Sequence, residues 1–516
     1  MADFLFKKQC DFMNAIKRAV KDIIIVGGGT SGWMTAATLS QQFKNSPVNI
    51  TLIDSSAMGT IGVGEATIPT LRRFYTNLGF TDIEVLRATN ATCKLGIQFK
   101  GWSGDESSFI HPFGLFGQEV NRVPFHHYFT KLRQSGDTTP LSDYSLGVKL
   151  ARDNKFKHPN MKPKNQLEIF DWALHFDAGL FAKLMRDYSI NNGVKHIDSK
   201  IDHVSLNNIT GNIDSLQLDN GLTISGDLFI DCSGFSALLI EKALKTGYED
   251  WSEYLVSDTA AAVQSELVGD PVPYTISHAQ KAGWQWQIPL QNRMGNGIVF
   301  SQEFISTDEA IDSMLKNIKG KLVNDPRSFS FTPGRRKKSW NKNCIAVGLA
   351  SGFLEPLEST SIALVETAID KISSFLAKAE YSQEDADKFN YAMAHEYQRV
   401  RDFIILHYKL NGRTDSPMWQ HCRDLEIPQT LNDKIAAFKT KGDIIKYPWE
   451  IFGKDSWLAI FDGLNFSPDS YDKSIDKFSI ELLSNELTKM RKGIKDEVEN
   501  TQTHPEFLRQ YCGFKE

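Results

Sequence analysis

A chain of 516 residues, 41% hydrophobic and 23% charged, has the composition of a globular protein with a large core, not of a disordered or fibrous one. Its 58 basic and 63 acidic side chains leave a net charge of −5, which gives no footprint for a nucleic-acid partner. No window approaches the ~18 uninterrupted apolar residues of a membrane helix, so no membrane partner is expected.

The chain opens Met1-Ala2-Asp3 and soon reaches Lys7-Lys8, with no apolar core and no small-residue cleavage site. Residues 1–20 therefore read as an N-terminal extension and not as a secretory signal. Next comes Asp22-Ile23-Ile24-Ile25-Val26, an apolar, β-branched run of strand length. A turn of Gly27, Gly28 and Gly29 leads through Thr30, Ser31 and Gly32 into residues 33–43, whose spacing suits a helix. A second strand, Ile50-Thr51-Leu52-Ile53, ends at Asp54. Strand, glycine turn, helix, strand and terminal acid together form the βαβ unit of a dinucleotide-binding fold.

Further along, residues 171–191 read as helix, and residues 201–206 and 213–218 as strands. Asp227-Leu228-Phe229-Ile230-Asp231-Cys232-Ser233-Gly234 is a strand that ends in small residues. The basic run Arg335-Arg336-Lys337-Lys338 reads as a solvated approach to a buried strand at Cys344-Ile345-Ala346-Val347-Gly348. Beyond Ser359 the chain turns mostly helical, with Ile362, Val365, Ile369 and Ile372 at helical spacing. No repeat or Pro/Gly/Ser linker divides it. The expected organisation is one compact unit: a module over residues 21–360 and a mainly helical region over 361–516.

The six cysteines (Cys10, Cys93, Cys232, Cys344, Cys422, Cys512) stand far apart without a CxxC pair, a spacing that suits neither zinc nor an iron–sulfur cluster. Scattered thiols fit a reducing compartment, and a cytoplasmic location is expected. His126-His127 lacks a third ligand at metal spacing, so no metal is assigned.

The turn matches G-x-G-x-x-G at Gly27, Gly29 and Gly32: one glycine for the tight bend, one for close approach of a pyrophosphate, one for helix–strand packing. Thr30 and Ser31 open the helix, whose free N–H groups suit phosphate, and Asp54 is placed to accept a ribose hydroxyl. Two later returns of small residues, at 231–234 and at Gly348–Gly352, favour a long buried FAD over NAD. The fold class is accordingly α/β: a Rossmann-like, FAD-binding fold of monooxygenase type with an added mainly helical C-terminal region.

Three further segments are specific. Gly62-Val63-Gly64-Glu65-Ala66-Thr67-Ile68-Pro69 follows the βαβ unit, Gly283-Trp284-Gln285-Trp286-Gln287-Ile288-Pro289 matches W-x-W-x-I-P, and Phe353-Leu354-Glu355-Pro356-Leu357-Glu358-Ser359-Thr360-Ser361 completes the set. With the glycine turn, these resemble the flavin-dependent halogenases, the group typified by tryptophan halogenases, over residues 22–370.

The resemblance implies that reduced FAD and oxygen convert halide (chloride, bromide or iodide) to hypohalous acid, which travels through a tunnel to a lysine beside an aromatic substrate. It assigns that role to Lys94, which either hydrogen-bonds the acid or forms a haloamine. It makes Glu358, rather than Glu355, the catalytic glutamate that orients the oxidant and helps remove the ring proton. Without the resemblance, Lys94 would be an ordinary surface lysine and Glu358 an acid near a helix N-terminus. Halide falls on the amides of Thr360 and Ser361, where members acting on tryptophan usually carry Gly at the second place; Ser361 keeps the N–H but disfavours a positive φ. Gly64, Glu65 and Ala66 belong to a strap touching flavin and substrate sites, Gly348 and Leu354 to the cofactor site, and Trp284, Trp286, Ile288 and Pro289 lie near the flavin. His111 and Phe113 are candidates to hold the substrate ring, with packing as the alternative.

The resemblance also implies non-covalent FAD delivered as FADH2 by a separate flavin reductase and a small aromatic substrate of indole or phenol type; homo-oligomerisation is left open. Two alternatives remain at this point: a flavin aromatic hydroxylase, and a flavin-binding redox protein without turnover.

Overall fold

The computed structural model describes residues 17–56 and 64–514. Its first sheet grows from Asp22–Val26, where Ile23 and Ile25 join the main core while Ile24 and Val26 join a smaller one on the opposite face. A strand covered on both faces has no polar side, which is why the run is apolar throughout. Asn49–Asp54 and Lys195–Asp198 continue the sheet on one side; Leu228–Asp231, Cys344–Ala346 and Trp340–Asn341 continue it on the other. These six strands are parallel except for the final hairpin. The helix Thr30–Gln42 packs on the helix Ala178–Asn191.

Residues 171–191, expected as a single helix, divide into the strand Ala173–Asp177 and that helix. Asp177 is the divider: its carboxylate accepts from the Leu180 amide at 2.9 Å and caps the helix. The strand is central in a three-stranded sheet, between Gly64–Ala66 and Thr92–Lys94. Its Ala-Leu-His-Phe composition carries no β-branched signal, so its strand character comes from pairing.

A second large sheet has seven strands, ordered Arg327–Ser330, Thr259–Ser265, Met294–Phe300, Gly283–Pro289, Thr275–Gln280, Gly96–Lys100 and Ser108–Pro112. Here W-x-W-x-I-P is a central strand, and the two-residue period puts Trp284, Trp286 and Ile288 on one face. Trp286 pairs across with Gly297, where an added Cβ would stand 1.9 Å from the indole. The ring occupies the space that glycine leaves.

The helical expectation beyond Ser359 holds, with Ser361–Phe375 and Gln383–Lys409 leading the series and His504–Cys512 ending it. Ile362, Val365, Ile369 and Ile372 are buried and share the main core with the first sheet. Of the expected extension, residues 17–20 are described, and Arg18–Ala19 pairs with Glu380–Tyr381; residues 1–16, with Cys10, lie outside the described residues. The basic run needs correction. Arg335 is buried against Glu249 (2.7 Å) and Arg336 pairs with Glu241 (2.7 Å), so only Lys337 and Lys338 are exposed. Among the described residues no helix is long and apolar enough to cross a membrane.

Candidate active site

Gly27 has φ +112°, and a Cβ there would lie 2.3 Å from the Cys232 carbonyl oxygen. At Gly32 a Cβ would come within 1.9 Å of the Gly27 carbonyl oxygen, so both glycines are required by the turn itself. Gly29 differs: its missing Cβ would meet open space. Gly29 also caps the helix Thr30–Gln42, and no side chain accepts from the helix's first amides. Such a terminus offers N–H groups and a positive dipole end to an anion. Asp54 stands at its strand end as expected, with its carboxylate accepting from His196 Nε2 at 2.6 Å.

A cavity of about 320 Å³ opens at this turn. Gly29, Thr30, Ser31, Glu65, Ala66, Gly348 and Leu354 line it, as do Trp284, Trp286, Ile288, Thr360 and Ser361. Gly27, Gly32 and Asp54 lie outside the lining. Gly64 pairs with Asp177 beside Glu65, and Pro289 is buried, its carbonyl accepting from Thr92 Oγ1 at 2.6 Å. Gly62 and Val63 of the expected strap lie outside the described residues. Burial pushes the Glu65 carboxyl up to about 7.

Lys94 ends the strand Thr92–Lys94 and is fully buried, so it is not a surface lysine. Its Nζ donates to the Thr67 carbonyl at 2.9 Å and to Ser359 Oγ at 2.8 Å. The ring of Phe113 lies 5.2 Å away. Burial lowers the Lys94 amine to about 7 against the opposing charge of Glu358. Ser359 itself lines the cavity, so one serine touches both the cavity and the lysine.

That serine was not singled out from sequence. The resemblance points to Ser361, but the left-handed residue is Ser359, at φ 57°. Thr360 caps the helix at φ −90° and Ser361 is the first residue of the helix Ser361–Phe375. The bend that the resemblance leads one to seek at Ser361 lies two residues earlier, and no glycine announces it.

Glu358 closes the short turn Pro356–Glu358 and is completely buried. His111 Nδ1 meets one carboxylate oxygen at 2.8 Å and His407 Nε2 the other at 2.8 Å. The second ring nitrogen of His407 donates to the Phe403 carbonyl at 2.8 Å. Both nitrogens of His407 thus face acceptors. Burial by itself would raise the Glu358 carboxyl, but the charges and hydrogen bonds of His111 and His407 outweigh it and hold the group at about 2.

Glu355 has a different environment. It is buried against Tyr408, Ser257 and Trp284, and burial pushes it up to about 7. Two glutamates three positions apart are therefore driven in opposite directions, and only Glu358 is bracketed by histidines.

His111 is committed to Glu358 and sits among aromatic rings: Phe113 at 6.4 Å, Phe403 at 5.7 Å and Phe452 at 6.0 Å between centroids. Trp457 packs on Phe403 at 4.9 Å. His407, Phe403, Phe452 and Trp457 come from the helical region and were not picked out from sequence, because a lone histidine in the 27-residue helix Gln383–Lys409 has no local pattern.

Comparisons with known proteins give the family. The family model for tryptophan halogenase matches residues 22–479. The chain is 34% identical over 442 residues to tryptophan 6-halogenase ThaL of Streptomyces albogriseolus, covering 81% of this chain and 82% of that protein. To tryptophan 7-halogenase RebH of Lentzea aerocolonigenes it is 32% identical over 446 residues, with the same shares covered. Among solved structures, BrvH, a flavin-dependent halogenase from Brevundimonas sp. BAL3, superposes with TM-score 0.92 at 50% identity, covering 95% of this chain and 99% of that one. Xcc4156, a flavin-dependent halogenase from Xanthomonas campestris, gives TM-score 0.91 at 39% identity over 96% and 99%.

Proposed function

Because the chain belongs to the tryptophan halogenase family of flavin-dependent oxidoreductases, we propose that it halogenates an electron-rich aromatic ring, of indole or phenol type, using FADH2, oxygen and halide. The observation that carries this reading is the contact between Lys94 and Ser359, which joins a buried amine to the wall of the cofactor cavity.

The cavity has the chemistry of a flavin site. Gly29 leaves room for a pyrophosphate, the first amides of the helix Thr30–Gln42 offer donors, and Trp284 and Trp286 give an apolar wall suited to a flat ring system. Bound reduced flavin supplies the two electrons with which oxygen becomes able to oxidise halide to hypohalous acid. The chain does the rest. Thr360 and Ser361, at a helix N-terminus, hold halide by their amides. The tryptophan wall keeps the organic substrate away from the cofactor.

Lys94 receives the hypohalous acid. With its amine lowered to about 7, a large neutral fraction exists near neutral pH. The two N–H groups of a neutral amine are spent on Thr67 and Ser359, leaving the lone pair free. That lone pair takes the halogen as the O–halogen bond breaks, one N–H proton passing to the leaving hydroxide so that it departs as water, or else the protonated amine donates its third N–H to the acid oxygen. Glu358, an anion at all ordinary pH values, stabilises the positive charge that develops on the attacked ring and takes the proton it releases. A protonated arene adduct is so strong an acid that a weak base suffices, so charge and placement count here for more than basicity.

The reading brings with it a separate flavin reductase and a cytoplasmic setting, the latter supported by the free thiols of all five described cysteines. Product mass spectrometry with indoles and phenols, a flavin reductase, and each halide tests it. Halogenated product is the expected result; hydroxylated product, or none, would reject the proposal.

A further inference from the structure

Thr92–Lys94 is an edge strand: Ala173–Asp177 pairs along one side of it, and among the described residues no strand pairs along the other. An edge leaves backbone N–H groups in search of partners, and a buried one left alone is costly. On the open side the Cys93 amide donates to Nε2 of His504 at 3.1 Å. His504 comes from the helix His504–Cys512, beyond the 22–479 span that the family model matches.

The protons on this histidine follow from its partners. Nδ1 lies 2.9 Å from the Pro271 carbonyl, which can only accept, so Nδ1 carries the hydrogen. Nε2 is then the acceptor that the Cys93 amide requires. His504 is fully buried, with its own backbone amide tied to the Asn154 carbonyl at 2.8 Å and Phe156 and Phe507 packed nearby. Among the described residues no acidic side chain contacts the ring, and burial holds it down to about 4.

The opposite flank of the same strand is gripped in the same way. Thr92 Oγ1 donates to the Pro289 carbonyl at 2.6 Å and accepts from His175 Nδ1 at 2.9 Å; His175 Nε2 then accepts from Thr275 Oγ1 at 2.9 Å. Two buried neutral imidazoles thus fix Thr92 and Cys93, the two residues leading to Lys94.

We propose that His504 is a positioning residue for Lys94: its imidazole bridges the Cys93 amide to the Pro271 carbonyl, so the C-terminal helix holds the reactive lysine on Thr67 and Ser359. This rests on the role given to Lys94 above.

The test compares the full-length wild type with His504→Gln, whose amide retains one acceptor and one donor, and His504→Leu, which has neither. Each is assayed with a flavin reductase, bromide and indole, and a thioether traps escaping oxidant. His504→Leu should yield about 10- to 100-fold less product per oxygen consumed, the scale of a misplaced catalytic group. Its FAD affinity and oxygen uptake should stay near wild type while trapped oxidant rises, and His504→Gln should recover most of the product.

Hydrogen–deuterium exchange across residues 91–95 should quicken in His504→Leu and return toward wild type in His504→Gln. Equal yields in all three proteins overturn the proposal, and so does a parallel fall of flavin binding and product, which would mark a general structural role. Should His504→Leu not fold, the wild type decides: ring ¹⁵N shifts of His504 must report the neutral Nδ1–H form, and any other form overturns the bridge. A wild type that incorporates no bromine rejects the functional reading alone, and the exchange comparison still judges the grip of His504.

Discussion

Lys94 Nζ donates a 2.8 Å hydrogen bond to Ser359 Oγ, so the buried amine stands one hydroxyl away from the cofactor cavity. The Lys94 amine and the cavity are separated by a side chain and not by a layer of core.

Replacing Lys94 by Met should abolish halogenation while FAD binding and oxygen consumption persist. Burying an amine is unfavourable, so the same change should also stabilise the fold. The folded amine titrates at about 7, far below its ordinary 10.5. The cost of burying its charge is complete below about 7 and fades as pH rises toward 10.5, where the unfolded chain also loses the proton. Thermal unfolding should therefore show Lys94→Met ahead of wild type by a few kcal/mol at pH 6 and by less at pH 9. A destabilised Lys94→Met would contradict the buried position.

Glu358→Gln and Glu355→Gln should part company. Loss of the Glu358 charge removes the partner of two imidazoles and, in the proposed reaction, the acceptor of the ring proton. Turnover should drop by ~10²–10⁴ and stability by ~3–5 kcal/mol, the cost of breaking a buried pair. Glu358 titrates at about 2 when folded, so its stabilising contribution is complete above about 4.5 and is lost as pH falls toward 2.

Glu355 works in the opposite sense: its folded value of about 7 makes it a growing liability as pH rises from about 4.5 to 7. Glu355→Gln should gain on wild type in a melting series over that interval and keep most activity. A larger activity loss at Glu355 than at Glu358 would reverse the assignment.

Gly27→Ala and Gly29→Ala test the turn. Gly27 cannot accept a Cβ, which would strike the Cys232 carbonyl at 2.3 Å, so alanine there should destabilise the fold along with flavin binding. Gly29 has nothing within 4 Å, and alanine there should leave the melting temperature unchanged while weakening FAD, measured by fluorescence titration. Equal effects on melting would mean that Gly29 does not face the cofactor.

Gly297→Ala places a methyl group against the Trp286 indole. Overpacking of this kind costs ~1–3 kcal/mol. The displaced ring should also open the tryptophan wall, seen as a lower ratio of halogenated product to oxygen consumed. An unchanged melting temperature would show that the indole can step aside freely.

Features encoded in short windows were legible in the sequence. The βαβ unit could be read because Ile23 to Val26, the glycine turn and Asp54 each carry a local signal, and W-x-W-x-I-P together with Pro356-Leu357-Glu358-Ser359 gave the family. Partnerships over long separations were not. His407 meets Glu358 across 49 positions and His504 meets Cys93 across 411, and an isolated histidine shows no sign of either. The seven-stranded sheet joins Gly96–Lys100 to Thr275–Gln280 by pairing alone. Asp54 was found at its strand end, but its bond to His196 crosses 142 positions.

The bracketing of Glu358 bears on selectivity. A carboxylate pinned on both oxygens cannot swing toward different carbons of a ring, and an amine tied to two acceptors cannot follow a shifted substrate. In the proposed reaction the catalytic pair is therefore a stationary tool, and the carbon that receives halogen is decided by how the surrounding walls present the ring. Attempts to redirect regiochemistry would then succeed at Phe113, Phe452 or Trp457 and fail at Lys94 and Glu358, where every change removes the tool instead of re-aiming it.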